Sequence, residues 1–439
     1  MSNRRDFLKQ TGVVGAGIAL GGVTPAAVGV MAVAAQDATL DFWDTTNDPI
    51  KAEVITGLGN DFGEANGVTV SHRGWTLEEL QDTLPRVVES NQGPDVAQIN
   101  NGESLMGPMV RAGQILSLKD YDAQYGWSER FAPSLLARNM YTADGATFGE
   151  GELWGLSAES EIVGFFYNKQ IFSDAGVSVP TTFAEFETAL ATLRDAGIPA
   201  LLLGNLDKFQ AIHLFGELQG TSTTREYLDD LIYRRNDKSF DDPSMLFAAN
   251  KLIEWKEAGY FLDGFDGISS DDAVALFASG AGAILLQGSW ATPSVIQGLG
   301  AEGAGFFLIP PINEGDTVLH VGGVAIPYGI TTNAEDPDTC AAFIDSLVSE
   351  ASVNAFLESG SLPAGDIPDD KIVAGTVSGD VYTGWNAAVA GDAVGHYLDW
   401  AAPGFYDVIT GALQEILGGQ VTAEEFVAKL QDFYAASFS

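Results

Sequence analysis

The feature that most constrains the fold is an alternation between short apolar runs and capped helices. Residues 39–43 form a predicted strand, and Asp48 followed by Pro49 has the pattern of a helix N-cap with proline at the first helical position. Thr76 and Glu79 have the spacing of a capping box at the start of the next helix. Strand–helix–strand units of this kind predict right-handed crossovers and an α/β fold with mainly parallel sheets.

The same alternation continues to the end of the chain. Apolar runs predict further strands at residues 68–71, 95–99, 156–167, 198–203, 283–286, 306–309 and 324–326. Helices are predicted to begin after Thr182, Asp242, Asp336 and Thr422, because each is followed by Pro or by a Glu three residues later. A globular chain of about 400 residues exceeds one typical core, so we expect two lobes.

The N-terminal 35 residues have the pattern of an export signal. Arg4 and Arg5 precede an uncharged, glycine-rich apolar run that ends near Ala34 and Ala35. This pattern predicts a twin-arginine-type signal peptide over residues 1–35, although Asn3 stands where Ser or Thr is commoner. We therefore expect the protein at the periplasmic or extracellular face of the cytoplasmic membrane. The apolar run is long enough to span a bilayer, so an uncleaved N-terminal anchor is the alternative.

Charge narrows the possible partners. The formal net charge is −39, from 60 acidic and 21 basic residues. Such a field repels nucleic acid and anionic lipid, so we expect no nucleic-acid partner. High salt would screen the self-repulsion, which makes a salt-loving source a hypothesis. Apolar residues make up 46% of the chain, which predicts a large core, and the single Cys340 excludes an intramolecular disulfide.

Motifs for catalysis or metal binding are absent from the sequence. None of the four histidines pairs at metal-ligand spacing, and there is no serine-hydrolase elbow or phosphate-binding loop. Asp263, Asp266, Asp271 and Asp272 suggest a calcium site but lack the spacing of the twelve-residue calcium loop. We therefore predict a protein that is not an enzyme and has no metal or cofactor. A secreted carbohydrate-active enzyme remains an alternative, because its two carboxylates need no fixed spacing.

Three tryptophans lie where loops are expected to face a ligand. Trp43 ends the first strand, Trp290 follows the strand at residues 283–286, and Trp400 lies in a segment punctuated by Gly and Pro. An indole offers a flat apolar face and one hydrogen-bond donor, which suits a sugar ring. Packing inside the lobes is the expected role of Trp75, Trp127, Trp154 and Trp255.

Several motifs follow one another in an order that resembles a known family. They are Gly93-Pro94-Asp95-Val96, Gly113-Gln114-Ile115-Leu116-Ser117-Leu118, Phe166-Tyr167-Asn168-Lys169, Pro180-Thr181-Thr182-Phe183, Gly288-Ser289-Trp290 and Gly360-Ser361-Leu362-Pro363. Their order resembles that of extracellular solute-binding proteins of carbohydrate-type ABC transporters, the maltose-binding-protein-like family 1. Ser117 stands where that family has proline, and Phe183, at a packing position, stands where it has tryptophan.

The resemblance implies a type II-like periplasmic-binding-protein fold of two lobes joined by a hinge. The expected lobes are residues 37–158 plus 287–327 and residues 159–286 plus 328–439. The implied function is capture of a mono- or oligosaccharide in the cleft between the lobes, by a monomer that delivers it to an ABC permease. The alternative within this fold is another solute, such as a polyol phosphate or a peptide.

The candidate ligand residues combine the positions of the strand ends with this resemblance. Carboxylates and amides suit sugar hydroxyls because they accept or donate hydrogen bonds in fixed directions. Loops after strands are where ligands bind in such sheets, and a glycine lets the backbone approach a ligand closely. The expected ligand residues are Trp43, Asp44, Asn100, Asn101, Glu159, Asn205, Asp207, Trp290, Gly323 and Trp400.

Overall fold

A computed structural model describes residues 38–46 and 48–437, so the predicted signal peptide lies outside the described residues. The strands are β1 Ala38–Asp44, β2 Val68–Gly74, β3 Val96–Gln98, β4 Met140–Tyr141, β5 Glu152–Leu153, β6 Ser160–Asn168, β7 Leu201–Leu202, β8 Ile284–Gly288, β9 Ala304–Phe307, β10 Gly322–Val324 and β11 Tyr328–Ile330.

Helices connect these strands throughout the described ranges. They are α1 Pro49–Asn66, α2 Leu77–Glu89, α3 Met106–Arg111, α4 Lys119–Tyr125, α5 Trp127–Arg130, α6 Pro133–Leu136, α7 Lys169–Ala175, α8 Phe183–Asp195, α9 Phe209–Gly220, α10 Arg225–Ile232, α11 Pro243–Glu257, α12 Ser270–Ala278, α13 Thr292–Leu299, α14 Pro337–Leu347, α15 Glu350–Ser359, α16 Val377–Ala390, α17 Phe405–Leu417 and α18 Ala423–Ala436.

The predicted helix starts are confirmed by their caps. The Asp48 carboxylate accepts hydrogen bonds from the backbone N–H groups of Ile50 and Lys51, and α1 ends at Gly67 in a left-handed conformation. The capping boxes that begin at Thr76, Thr182 and Thr422 are all formed. Each cap satisfies backbone donors that a helix start leaves without partners, which is why local sequence is sufficient to place these helices.

The first sheet has the strand order β11-β3-β1-β2. Strand β1 runs parallel to both β2 and β3, and β11 joins β3 in the antiparallel direction. Helices α1 and α14 pack on this sheet and α15 packs on both helices, with Phe343 of α14 in edge contact with the rings of Phe42 and Phe62. We call this sheet with its helices the first lobe.

The second sheet has the order β10-β6-β8-β7, with β9 also paired to β6. Strand β6 runs antiparallel to β8, β9 and β10, and the pair β7–β8 is parallel. The expectation of a mainly parallel sheet in each lobe is therefore wrong for this one, and both sheets are mixed. Apolar runs show that a strand is buried but not the direction in which its neighbour runs.

The second lobe is this second sheet with the helices that pack on it, among them α9, α12, α13 and α16. The predicted lobe boundaries differ from the strand pairing at two places. The prediction puts residues 287–327 in the first lobe, whereas Gly322–Val324 pairs with β6 of the second sheet. It puts residues 328–439 in the second lobe, whereas Tyr328–Ile330 pairs with β3 of the first sheet. The reason is that composition does not mark these crossings, and each strand is three residues long.

Helices α14 and α15 also bear on membrane association. No single helix in the described ranges is long and apolar enough to cross a membrane. Taken together, α14 and α15 reach that length and apolar composition, but they are bent by 51° at the break between them. Their buried residues Cys340, Phe343, Leu347 and Phe356 belong to the core of the first lobe. These two helices therefore pack as core helices in this fold.

Candidate ligand-binding site

Asp44, at the end of β1, is fully buried and has a partner on each carboxylate oxygen. Its Oδ1 accepts from the backbone N–H of Thr46 and lies 2.9 Å from His72 Nε2, and its Oδ2 accepts from the Tyr328 hydroxyl at 3.4 Å. These contacts fix the loop between β1 and α1. The predicted ligand residue Asp44 therefore shapes this edge of the first lobe from inside.

Near this end of β1, the indole of Trp75 is partly exposed to solvent, whereas that of Trp43 is buried. Trp43 is only 7% exposed, donates from Nε1 to Asp41 and packs on Trp75 with ring centroids 4.8 Å apart. Trp75 is partly exposed, its Nε1 has no hydrogen-bond partner, and the Arg73 guanidinium lies 3.6 Å from its ring centroid. Trp43 is thus the buried ring of this pair and Trp75 the partly exposed one.

Asn100 and Asn101 follow β3 and belong to a chain of buried amides. Asn100 Nδ2 donates to Gln81 Oε1 at 3.0 Å, and Asn100 Oδ1 accepts from the backbone N–H of Asn101. Asn101 Nδ2 donates to Asn139 Oδ1, whose own Nδ2 donates to Ser157 Oγ at 3.1 Å. The amides hold the loop that follows β3 against the neighbouring segments.

The candidate ligand residues of the second lobe and of the crossover have internal hydrogen-bond or ion-pair partners for some of their polar atoms. Asn205 Nδ2 donates to Asp266 Oδ1 at 3.0 Å, while Asn205 Oδ1 is buried without a partner. Asp207 accepts from the backbone N–H of Ser270 at the start of α12. Glu159, on the crossover between lobes, pairs with Lys51 at 3.0 Å. Asn205 thus keeps a free acceptor, and the two carboxylates are occupied.

Rings from three separate segments meet in the second lobe, and we call them the aromatic cluster: His213, Trp290, Tyr397 and Trp400. The ring centroid of His213 lies 5.6 Å from that of Trp290 and 5.1 Å from that of Tyr397, which is 5.1 Å from Trp400. Trp290 is partly exposed, whereas Trp400 is 2% exposed. Trp290 is therefore the partly exposed indole of the cluster, and Trp400 is the buried one.

The aromatic cluster carries polar atoms that lack partners. His213 Nδ1 is buried without a hydrogen bond, and the Tyr397 hydroxyl, beside Glu161, has no partner in good hydrogen-bond geometry. Burial raises the pKa of Glu161 to about 7 and lowers the pKa of His213 to about 3, so the imidazole is neutral at physiological pH. A buried polar group without a partner costs ~1–3 kcal/mol, so these atoms are candidates for hydrogen bonds to a bound molecule.

Arg138 packs against the aromatic cluster beside Trp400. Its guanidinium is buried, donates to the carbonyls of Gly322, Val394 and Gly395, and lies 5.9 Å from the Trp400 ring centroid. Gly323 has φ +145°, and a Cβ there would overlap this guanidinium. The predicted reason for Gly323 was close approach of the backbone to a ligand; in the structure it leaves room for Arg138.

The structure thus joins Trp290 and Trp400 through the aromatic cluster. Gly323 and Asn101 both contact Arg138 beside it, since Asn101 Nδ2 donates to the Arg138 carbonyl at 3.1 Å. Sequence reasoning missed His213, Tyr397, Glu161 and Arg138. One signal was present for Tyr397, which precedes the candidate Trp400 by three residues, whereas the pairing of Glu161 with Gly323 is visible only in the structure. His213 carried no signal, because a lone histidine is usually a core or surface residue.

Among the residues that the structure describes, no group of three or more His, Cys, Asp or Glu side chains is arranged to hold a metal ion. In the acidic segment singled out for calcium, Asp266 instead accepts from Asn205. The pKa of Asp271 is raised by burial and by the neighbouring carboxylates Asp207, Asp48 and Asp272. That segment packs as part of the loop that begins α12.

Comparisons with known proteins place this geometry in context. The solved structure of a chitin oligosaccharide binding protein is 23% identical, with a TM-score of 0.77 over 91% of this chain and 99% of that chain. A structure described with xylan utilization by the bacterium Caldanaerobius polysaccharolyticus is 20% identical, with a TM-score of 0.78 over 90% and 99%. RafE in complex with raffinose is 17% identical, with a TM-score of 0.72 over 92% and 100%. No curated protein sequence matches the chain.

These structures share the fold of the chain, a mixed α/β arrangement of the periplasmic-binding-protein type. A family model, described as the bacterial extracellular solute-binding protein, matches residues 43–354, which is well over half of the chain. Its members are extracellular and act as non-catalytic components of transporters, which confirms the prediction that the chain is not an enzyme. The chain belongs to the bacterial extracellular solute-binding protein family.

Proposed function

We propose that the protein captures a sugar between its two lobes, at the aromatic cluster, and delivers it to an ABC permease. The observation that carries this proposal is the partly exposed Trp290 beside the unsatisfied polar atoms of His213 and Tyr397. A sugar ring matches this combination, because its apolar face stacks on an indole while its hydroxyls complete the hydrogen bonds. The names of the similar structures refer to xylan, chitin oligosaccharide and raffinose, which supports a carbohydrate ligand.

The charges near the cluster disfavour a phosphate or carboxylate ligand, including a polyol phosphate. Lys51 is paired with Glu159, and the Arg138 guanidinium is bonded to backbone carbonyls. Glu161 and Asp399 add carboxyl groups in the same region, and burial raises the pKa of each, to about 7 and about 6. An anionic ligand would therefore lie beside two carboxyl groups, whereas the hydroxyls of a neutral sugar could hydrogen-bond to them.

The N-terminal segment supports a route to the cell exterior. We propose that residues 1–35 direct twin-arginine export and are then removed, since the sequence offers small residues at Ala34 and Ala35. Replacing Arg4 and Arg5 with Lys should leave the protein in the cytoplasm. N-terminal sequencing of the exported wild type should begin near Gln36, and a chain that keeps residues 1–35 in the membrane fraction would favour the anchor.

Calorimetric titration of the purified protein tests the sugar proposal. The panel comprises xylose and GlcNAc, each in chain lengths of one to five rings, together with galactose, maltose and raffinose. In addition to the heat of binding, a sugar present at 100 times its Kd should raise the free energy of unfolding by ~2.7 kcal/mol. If no panel member binds, while the protein unfolds cooperatively, the sugar proposal is wrong.

Variants place the site. Trp290→Ala and Tyr397→Phe should each weaken binding tenfold or more, because they remove the stacking face and a hydroxyl that lacks an internal partner. Tyr382→Phe is the matched control: its buried hydroxyl donates to the Ser361 carbonyl at 2.9 Å, outside the cluster. Equal affinity in Tyr397→Phe and wild type would remove Tyr397 from the site.

A further inference from the structure

We infer that the site takes a mono- or disaccharide and excludes longer oligosaccharides, because contacts between the lobes close the space on two sides. This inference rests on the proposed function and narrows the size of the ligand. Two pairs of contacts and the exposure of the tryptophans carry it. All of them involve residues in the described ranges.

One side is closed where the loop after β3 meets the segment that holds Trp400. Ser104 Oγ, in the first lobe, donates to the Asp399 carboxylate at 2.6 Å and to the Asp399 carbonyl at 3.1 Å. A Cβ on Gly102 would lie 2.5 Å from Trp400 Cβ, so backbone and indole are in direct contact. Gly102, Asp399 and Trp400 are all buried. This contact borders the aromatic cluster, because Trp400 takes part in both.

The other side is closed at the start of α1. Ser294, on α13 of the second lobe, donates its hydroxyl to the carboxylate of Asp48, the N-cap residue of α1. Lys51, one turn further along α1, pairs with Glu159 on the crossover between lobes. Neither contact is needed to cap α1, since the backbone N–H groups of Ile50 and Lys51 are satisfied by the other Asp48 oxygen. These contacts therefore join the lobes.

The tryptophans set a second limit on length. Of the eight in the chain, only Trp75 and Trp290 are partly exposed, and both pack against the same hydrophobic core. The other six are at most 7% exposed: Trp43, Trp127, Trp154, Trp255, Trp385 and Trp400. A long oligosaccharide bound along a cleft would need an aromatic platform for successive rings, and indoles are available for one or two.

Titration against the one-to-five-ring series tests the inference. Wild type should bind one- or two-ring members at least tenfold more tightly than five-ring members of the same series. The double variant S104A/S294A removes the hydroxyl donors on both sides and should narrow that ratio at least threefold. The matched control S279A/S346A removes two hydroxyls that donate to backbone carbonyls within their own helical turns, and should keep the wild-type ratio.

The outcomes separate this inference from the proposed function. Affinity that rises from one ring to five in the wild type overturns the size limit and leaves sugar binding intact. A wild-type preference for short ligands that S104A/S294A does not change overturns closure by these contacts. Binding of no panel member overturns the proposed function and the size limit together.

Discussion

Gly323 occupies a position where any side chain would disturb Arg138. We expect Gly323→Ala to lower the free energy of unfolding by about 1–3 kcal/mol, because φ is +145° and the added Cβ overlaps the guanidinium. Gly57→Ala is the control: it lies inside α1 with nothing within 4 Å of the added Cβ, and should gain about 0.5–1 kcal/mol. Urea denaturation measures both, and equal stability of Gly323→Ala and wild type would contradict the packing described.

Glu161 should make the stability of the ligand-free protein fall as the pH rises. Its pKa is raised from 4.5 to about 7, mainly by burial; the neighbouring Tyr397 hydroxyl, Lys51 and Arg138 oppose this rise, and Glu159 adds to it. A raised carboxyl pKa means that the folded state holds the proton more tightly, so this stabilisation is complete below pH 4.5 and is lost by about pH 7. Wild type should therefore lose more stability than Glu161→Gln between pH 4.5 and 7.5 in thermal unfolding. Parallel curves would contradict the raised pKa.

The candidate ligand residues show what sequence could and could not predict at this scale. The rule that ligands bind beyond strand ends points to Trp290, which is partly exposed, and to Asp44, which is fully buried. Asp44 is occupied because Tyr328 bonds it from 284 residues away, a contact that no local pattern reveals. Tyr397 and Glu161 were missed because their proximity to each other, from segments more than 200 residues apart, is visible only in three dimensions.

At the scale of single elements, the capping boxes are the most predictable features, and their contribution can be measured. Thr182→Ala should lower the free energy of unfolding by about 1 kcal/mol, since Thr182 Oγ1 accepts from the backbone N–H of Glu185. Thr192→Ala is the control within the same helix: its hydroxyl donates to the Thr188 carbonyl, and alanine there should be neutral or stabilising. Equal losses in both variants would show that the cap is not the cause.

Elements without a local signal escaped prediction. Helix α9 is buried along almost its whole length, so its apolar residues make no stripe of helical period. The direction of β6 relative to its neighbours and the separation of β10 from β11 also depend on which strands meet, which is decided by tertiary packing. Helix starts were therefore predictable, and sheet order was not.

For the molecule as a whole, charge should couple stability to salt. With a formal net charge of −39, the folded chain repels itself, and raising KCl from 0.1 M to 1 M shortens the screening length from ~10 Å to ~3 Å. The Tm should therefore rise over that range. Sucrose at equal osmolality controls for solute exclusion, and a maximum Tm at the lowest salt would contradict the role given to charge.

The edge strand β11 ties the first sheet to a distant part of the chain. It pairs with β3, and the Thr331 hydroxyl that follows it bonds the Pro94 carbonyl, 237 residues earlier. During synthesis, the N-terminal half can form β1, β2 and β3 before β11 exists. The edge of β3 therefore has no partner strand until residue 330 has left the ribosome. An open edge is a template for pairing with another chain. Chains terminated before Tyr328 should consequently aggregate, and chaperones that shield nascent edges should matter most over that interval of translation.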